Sequence, residues 1–80
     1  MSDNDEDEKH LVDQGKRLAG RAVHFDKEQQ PIAAIFYYSE AANVMEKLFG
    51  LTGKDAFLEY SKQYKSRAGR IKVIKYFHYY

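Results

Sequence analysis

Apolar side chains recur every three or four residues along most of the chain, which is the spacing that places them on one face of a helix. The first run makes two adjacent stripes: Leu11, Gly15, Leu18, Ala22 and Phe25, beside Val12, Ala19 and Val23. A helix with two apolar stripes packs against two neighbours, so this run predicts one helix of a three-helix bundle. Gly15 and Gly20 are expected to let a neighbouring backbone approach that helix closely.

Two further runs predict a second and a third helix. The second run consists of Ile32, Ile35, Tyr38, Ala42, Met45 and Phe49, with Ala34, Ala41, Val44 and Leu48 alongside. It is apolar over more than half of its circumference, which predicts that its helix lies at the centre of the bundle. The third run consists of Phe57, Tyr60, Tyr64, Ala68, Ile71 and Ile74, then Phe77 or His78. The sequence therefore predicts an all-α fold, an antiparallel three-helix bundle.

Two short breaks separate the predicted helices. The first spans residues 26–31, and Pro31 suits the first turn of the second helix, where a backbone N–H is not needed. The second spans residues 50–53, where Gly50 is expected to adopt the left-handed conformation that ends many helices. Thr52 is expected to cap the third helix, with Asp55 three residues later.

The chain runs from an acidic beginning to a basic end. Residues 1–8 contain five acidic side chains and no apolar one after Met1. This composition predicts a disordered leader, with the folded domain at residues 9–80. No acidic residue follows Glu59, whereas six basic residues do. Without a basic, apolar leader or an apolar run of ~18 residues, the chain is expected to be cytoplasmic.

Side chains with catalytic or metal-binding potential are scattered in this sequence. Without cysteine, the chain has neither disulfides nor thiolate metal ligands. His10, His24 and His78 are too far apart along the sequence to form a zinc-binding helical face. A glycine-rich phosphate loop is also missing. We therefore expect a non-catalytic protein without metal or cofactor; a fragment of a larger enzyme, or a recruiter for one, is compatible with this expectation.

Eight residues at fixed separations run from the end of the first predicted helix through the second and third. They are Asp26, Ala34, Tyr38 and Ala42, followed by Tyr64, Arg67, Ala68 and Ile71. In this order they resemble the MIT domain, where MIT stands for microtubule-interacting and trafficking. The resemblance covers about residues 9–75. Within this range the sequence is similar to the MIT domains of an atypical calpain and of the AAA ATPases that disassemble ESCRT-III polymers.

The resemblance implies three antiparallel helices that bind tails of ESCRT-III-type subunits during endosomal sorting. In that family a tail binds as an extended peptide between helices 1 and 3, or as a helix between helices 2 and 3. The first groove would be lined by Val12, Ala19, Val23, Tyr64, Arg67 and Ile71. The second would be lined by Ala42, Met45, Phe49, Lys65 and Ala68.

The basic third helix favours the first of these two grooves. The family often has leucine, with acidic residues nearby, at the position that Lys65 occupies here. An extended acidic tail in the groove between helices 1 and 3 is therefore the preferred hypothesis. The resemblance further implies a monomer that is recruited to endosomal membranes, without nucleic acid as a partner.

The basic and aromatic third helix also permits other functions. Its cations and tyrosines are typical of a helical module that binds nucleic acid. The stretch 71–80 has the basic and aromatic residues of a segment that lies on an anionic membrane surface. Both remain alternatives to tail binding.

Overall fold

A computed structural model describes residues 3–77 of the chain, with side chains described for residues 6–75. Within that range it contains three α-helices and no strand: α1 (Asp3–Lys27), α2 (Pro31–Thr52) and α3 (Asp55–Phe77). Short connections reverse the chain twice, so α1 and α3 run in the same direction and α2 runs against both. The predicted all-α three-helix fold is confirmed.

The second helix is the centre of the bundle, as its apolar circumference predicts. It packs along both other helices, whereas α1 and α3 contact each other little within residues 3–77. Most of the buried side chains belong to α2: Ala34, Tyr38, Ala41, Ala42, Val44, Met45 and Leu48. α1 and α3 therefore each pack mainly on α2 and have few backbone contacts with each other in the described residues.

The core divides into two clusters along the bundle. One cluster joins α2 to both neighbours at the end near the first connection, and consists of Ala22, Ala34, Tyr38, Ala68 and Ile71. The other lies toward the opposite end and consists of Val44, Met45 and Leu48, with half-buried side chains from α1 and α3 against them. Tyr64 packs against both clusters, so its ring connects them.

The two glycines of α1 play different roles. A side chain at Gly15 would overlap the Met45 side chain, with Val44 also within contact distance, so glycine lets α2 approach closely there. Nothing lies within contact distance of a side chain placed at Gly20. Gly15 thus makes room for side chains of α2 rather than for its backbone, and the expectation of close backbone approach is wrong for Gly20, which faces outward.

The first helix begins earlier than the sequence predicts. Residues 3–8 belong to α1 rather than to a disordered leader. Acidic side chains in a first turn interact favourably with the positive end of the helix dipole. In addition, Glu8 accepts a hydrogen bond from the Lys54 ammonium at 3.0 Å. At its other end the chain turns through residues 28–30, and Pro31 is the first residue of α2, as predicted.

The turn between α2 and α3 is corrected in two places. Gly53, rather than Gly50, adopts the left-handed conformation, with φ of 70°, and its N–H donates to the Phe49 carbonyl at 2.7 Å. Thr52 lies in the last turn of α2, where its hydroxyl donates to the Leu48 carbonyl at 2.8 Å. The helix extends past Gly50 because these two bonds satisfy carbonyls of its last turn. Thr52 therefore does not cap α3, which begins at Asp55.

Candidate functional site

Three side chains, one from each helix, form a hydrogen-bonded network beside the first connection. The Arg67 guanidinium donates to the Asp26 carboxylate twice, from Nε to Oδ2 and from Nη2 to Oδ1, each at 2.8 Å. The Tyr38 hydroxyl donates to the same Oδ2 at 3.0 Å. A bidentate pair of this kind is stronger and more directional than a single neutral hydrogen bond. It ties α1 to α3 directly, where the two helices otherwise have few contacts.

The network shifts the proton affinities of its members. Hydrogen bonds from Arg67 hold the pKa of Asp26 below its usual value, against the opposing effect of burial. The same carboxylate raises the pKa of Arg67. Burial, and then the hydrogen bond to Asp26, raises the pKa of Tyr38. At neutral pH the network therefore consists of an anion, a cation and a neutral phenol.

The groove between α1 and α3 runs between two ion pairs. The pair of Glu8 and Lys54 lies at one end, and the pair of Asp26 and Arg67 lies toward the other. On α1, Ala19 precedes Asp26 by two helical turns and therefore lies on the same face of the helix. We define the α1–α3 groove by the following residues: Val12, Ala19 and Val23 of α1, and Tyr60, Arg67 and Ile74 of α3.

Exposed apolar side chains lie along this groove. Val23 is 41% exposed and Tyr60 is 48% exposed, while Val12 and Ala19 are half-buried. The Tyr60 ring stacks on Tyr64 with 6.3 Å between centroids, so it has a defined orientation. An exposed aromatic ring held beside aliphatic side chains offers apolar contact to a ligand that lies along the groove.

A depression of about 470 Å³ lies beyond the Asp26–Arg67 pair. The first connection forms one side of it and the later turns of α3 form the other. Its lining combines apolar, amide and charged groups: Asp26, Gln29, Gln30, Pro31, Arg67, Ile71, Ile74 and Lys75. Ile74, which is 60% exposed, and Arg67 both line this depression.

The predicted residues of this groove differ in accessibility. Val12, Ala19, Val23 and Arg67 reach its surface. Ile71, by contrast, is buried in the core with 6% exposure, so it lies beneath the surface rather than on it. Tyr64 is half-buried and packs on the core clusters. Arg67 is present at the predicted place, but two of its nitrogens are already bound to Asp26.

Most of the residues predicted to line the groove between α2 and α3 are buried. Three of its predicted lining residues are core residues with at most 5% exposure: Ala42, Met45 and Ala68. Across the surface above them, the Glu46 carboxylate of α2 binds two side chains of α3, the Lys65 ammonium and the Ser61 hydroxyl. The hydrogen bond from Lys65 lowers the pKa of Glu46. Phe49 remains half-buried.

Two features of the site go beyond the sequence prediction. Tyr60 follows the apolar spacing of α3 and reads as a core residue, yet the sparse contact of α1 with α3 leaves it exposed. Asp26 is part of the family pattern, but its partner was not predicted. The charge complementarity of Asp26 and Arg67 is the one signal in the sequence that would have suggested the pair.

Neither a metal site nor a membrane span is found in the described part of the chain. Within it, no three histidine, aspartate or glutamate side chains come together as metal ligands. Nor does any of its helices combine the length and the apolar character needed to cross a bilayer.

Comparisons of the chain with family models, with curated proteins and with solved structures give no significant match.

Proposed function

We propose that this chain is a non-catalytic recruitment module that binds an extended, acidic protein tail along the α1–α3 groove. The spacing from Asp26 through Tyr38 to Arg67 resembles the MIT pattern, and the ligand class follows from that resemblance. The partners are then tails of ESCRT-III-type subunits. The setting is the cytoplasmic face of endosomal membranes, to which the module recruits the protein that carries it.

The exposed apolar lining of the α1–α3 groove is the observation that carries this proposal. Val23 of α1 and Tyr60 of α3 keep 41% and 48% of their surface exposed. The backbones of α1 and α3 have few contacts with each other, which favours this surface as the place for an extended peptide. Burial of such side chains under a peptide supplies a favourable free energy of about 25 cal/mol per Å².

The charge of α3 supports an acidic ligand. No acidic residue follows Glu59, and one cation of α3, Arg67, lies at the groove beside Asp26. Arg67 uses Nε and Nη2 for Asp26, which leaves Nη1 on a side chain that is 42% exposed. A carboxylate of the peptide can accept from that nitrogen while the pair with Asp26 stays intact, and guanidinium–carboxylate contacts are directional.

The groove between α2 and α3 is less suited to a helical ligand. A helix bound there would have to lie over the contacts that Glu46 makes with Ser61 and Lys65. Breaking the ion pair would expose little apolar surface, because Ala42 and Ala68 beneath it are core residues. The proposal therefore assigns tail binding to the α1–α3 groove.

Fluorescence anisotropy with labelled tail peptides tests the proposal. The panel contains extended acidic tails of ESCRT-III-type subunits, helical tails, and a shuffled version of each. We expect micromolar dissociation constants for extended acidic tails, which correspond to about −8 kcal/mol. The combined change Val23→Ser with Tyr60→Ala should weaken binding about tenfold, or about 1.4 kcal/mol.

A matched control changes exposed apolar residues on another surface. Ile32 and Phe36 lie on the outer side of α2, with 69% and 54% exposure. The variant Ile32→Ser with Phe36→Ala should bind like the unchanged protein. Equal losses in both variants, or equal affinity for acidic and shuffled peptides, would contradict the proposal.

A further inference from the structure

The side of α3 that faces away from α2 carries cations and aliphatic side chains in one stripe. Its residues recur at helical spacing over about 18 Å of the helix. They are Lys62, Gln63, Ser66, Arg67, Arg70, Val73 and Ile74. They surround two adjoining shallow depressions that share Arg67 and Arg70. We call this stripe the α3 outer face.

Two aliphatic side chains are exposed at the later end of this face. Val73 is 54% exposed and Ile74 is 60% exposed, and both line one depression of about 510 Å³ with Arg67, Gly69 and Arg70. More than half of the surface of each side chain is therefore left uncovered by the described part of the bundle.

The charge around these side chains has one sign. Arg70 is exposed, and Lys62 is exposed with a contact of 3.6 Å to Glu59 one turn earlier. Beyond Glu59 the sequence contains no acid to neutralise the face. The Asp26 carboxylate, which lies beside this face, is bound to Arg67.

We infer that the α3 outer face binds the surface of an anionic lipid bilayer, with Val73 and Ile74 entering the interface and Lys62 and Arg70 contacting lipid headgroups. A helix that lies on a membrane combines an aliphatic part with flanking cations in this way. Aliphatic side chains favour lipid over nucleic acid, since nucleic-acid surfaces pair cations with aromatic stacking or polar contacts. This inference can be tested apart from the proposed tail binding: Arg67 and Ile74 border both surfaces, but Lys62, Arg70 and Val73 belong to the α3 outer face alone.

Vesicle sedimentation with the complete chain tests the inference. The vesicles contain phosphatidylcholine alone, or phosphatidylcholine with phosphatidylserine. We expect sedimentation with the anionic vesicles, weaker binding at high salt, and little binding to the neutral vesicles. The variant Val73→Ser with Ile74→Ser should bind anionic vesicles about tenfold more weakly. Lys62→Gln with Arg70→Gln should have an effect of similar size.

A matched control removes two positive charges from other surfaces of the bundle. Arg17 of α1 and Lys47 of α2 are exposed and lie outside the α3 outer face. The variant Arg17→Gln with Lys47→Gln should sediment like the unchanged protein, and circular dichroism should show that all three variants remain helical. An equal loss in this control would overturn the inference, because net charge alone would then explain the binding.

A second outcome also overturns it. In this outcome the chain does not sediment with anionic vesicles but binds single-stranded RNA. If only the Lys62→Gln with Arg70→Gln variant then loses RNA binding, the α3 outer face binds nucleic acid instead. Sedimentation with anionic vesicles that is insensitive to both α3 variants contradicts the inference as well, since another surface would then be responsible.

Discussion

Arg67 of α3 donates two parallel hydrogen bonds to the Asp26 carboxylate of α1, each 2.8 Å long. The two helices otherwise approach each other little within the described residues, so this pair is a principal direct connection between them. It also lies where the α1–α3 groove meets the depression beside the first connection. The pair therefore sets the relative position of the two walls that we propose to hold a peptide.

Replacing Asp26 with asparagine should destabilise the fold by about 1–2 kcal/mol. The change keeps the shape of the side chain and an acceptor for Tyr38, but removes the charge that strengthens both bonds from Arg67. Solvent reduces the effect, because 42% of the Arg67 side chain is exposed. Urea unfolding followed by circular dichroism measures the difference. Asp13→Asn, at an exposed position of α1, should change stability by less than about 0.5 kcal/mol.

The same pair predicts how stability depends on pH. Arg67 lowers the pKa of Asp26 in the folded state below the usual value of about 4. The ionised carboxylate then contributes its full stabilisation above pH ~4, and this contribution is lost as the pH falls through the lowered pKa. The melting temperatures of the unchanged protein and of Asp26→Asn should therefore differ at pH 7 and converge in acid. A gap that stays constant from neutral to acidic pH contradicts this explanation.

Removing the Tyr38 hydroxyl tests the third member of the network. Tyr38 is 6% exposed, and its hydroxyl donates to Asp26 at 3.0 Å. Tyr38→Phe keeps the ring in the core and removes one hydrogen bond, so we expect a loss of about 1 kcal/mol in unfolding free energy. Tyr60→Phe, at an exposed ring, should leave stability unchanged. Similar losses in the two variants would show that the hydrogen bond from Tyr38 to Asp26 does not contribute measurably to the unfolding free energy.

Alanine at the two glycines near the end of α2 should have opposite effects. Gly53 has a φ of 70°, where a side chain is strained, so Gly53→Ala should destabilise the protein by about 1 kcal/mol. Gly50 lies inside α2 with open space around it, so Gly50→Ala should stabilise it by about 0.5–1 kcal/mol. Thermal unfolding measures both. Destabilisation by Gly50→Ala would indicate that the helix ends there instead.

The helices and most of the core follow from the sequence because they depend on local spacing. Ala34 and Leu48 lie on predicted apolar stripes and are fully buried, and Pro31 begins α2 as proline chemistry requires. The sequence does not show where α2 ends, because both Gly50 and Gly53 could adopt the left-handed conformation that ends a helix. Hydrogen bonds to the Leu48 and Phe49 carbonyls decide the outcome, and those form only in the folded chain.

The candidate site was less predictable, since it depends on how the helices sit relative to one another. The apolar spacing of α3 cannot distinguish Tyr60 from a core residue, and its exposure results from the sparse contact between α1 and α3. Likewise, Lys65 differs from the family pattern, but its ion pair with Glu46 across the second groove requires the packing of α2 on α3. Which of the two grooves is accessible depends on how helices that are distant in sequence pack together, and the local spacing of residues does not show this.

Residue-specific amide shifts in an NMR titration test the central claim most directly. Isotope-labelled protein is titrated with an extended acidic tail of an ESCRT-III-type subunit, and the shifts are mapped onto the three helices. Peptide binding in the α1–α3 groove should give the largest amide shifts at Ala19, Val23, Tyr60 and Arg67, with small changes near Glu46 and Phe49. Shifts confined to residues 42–49, with none at Ala19 or Val23, would contradict it.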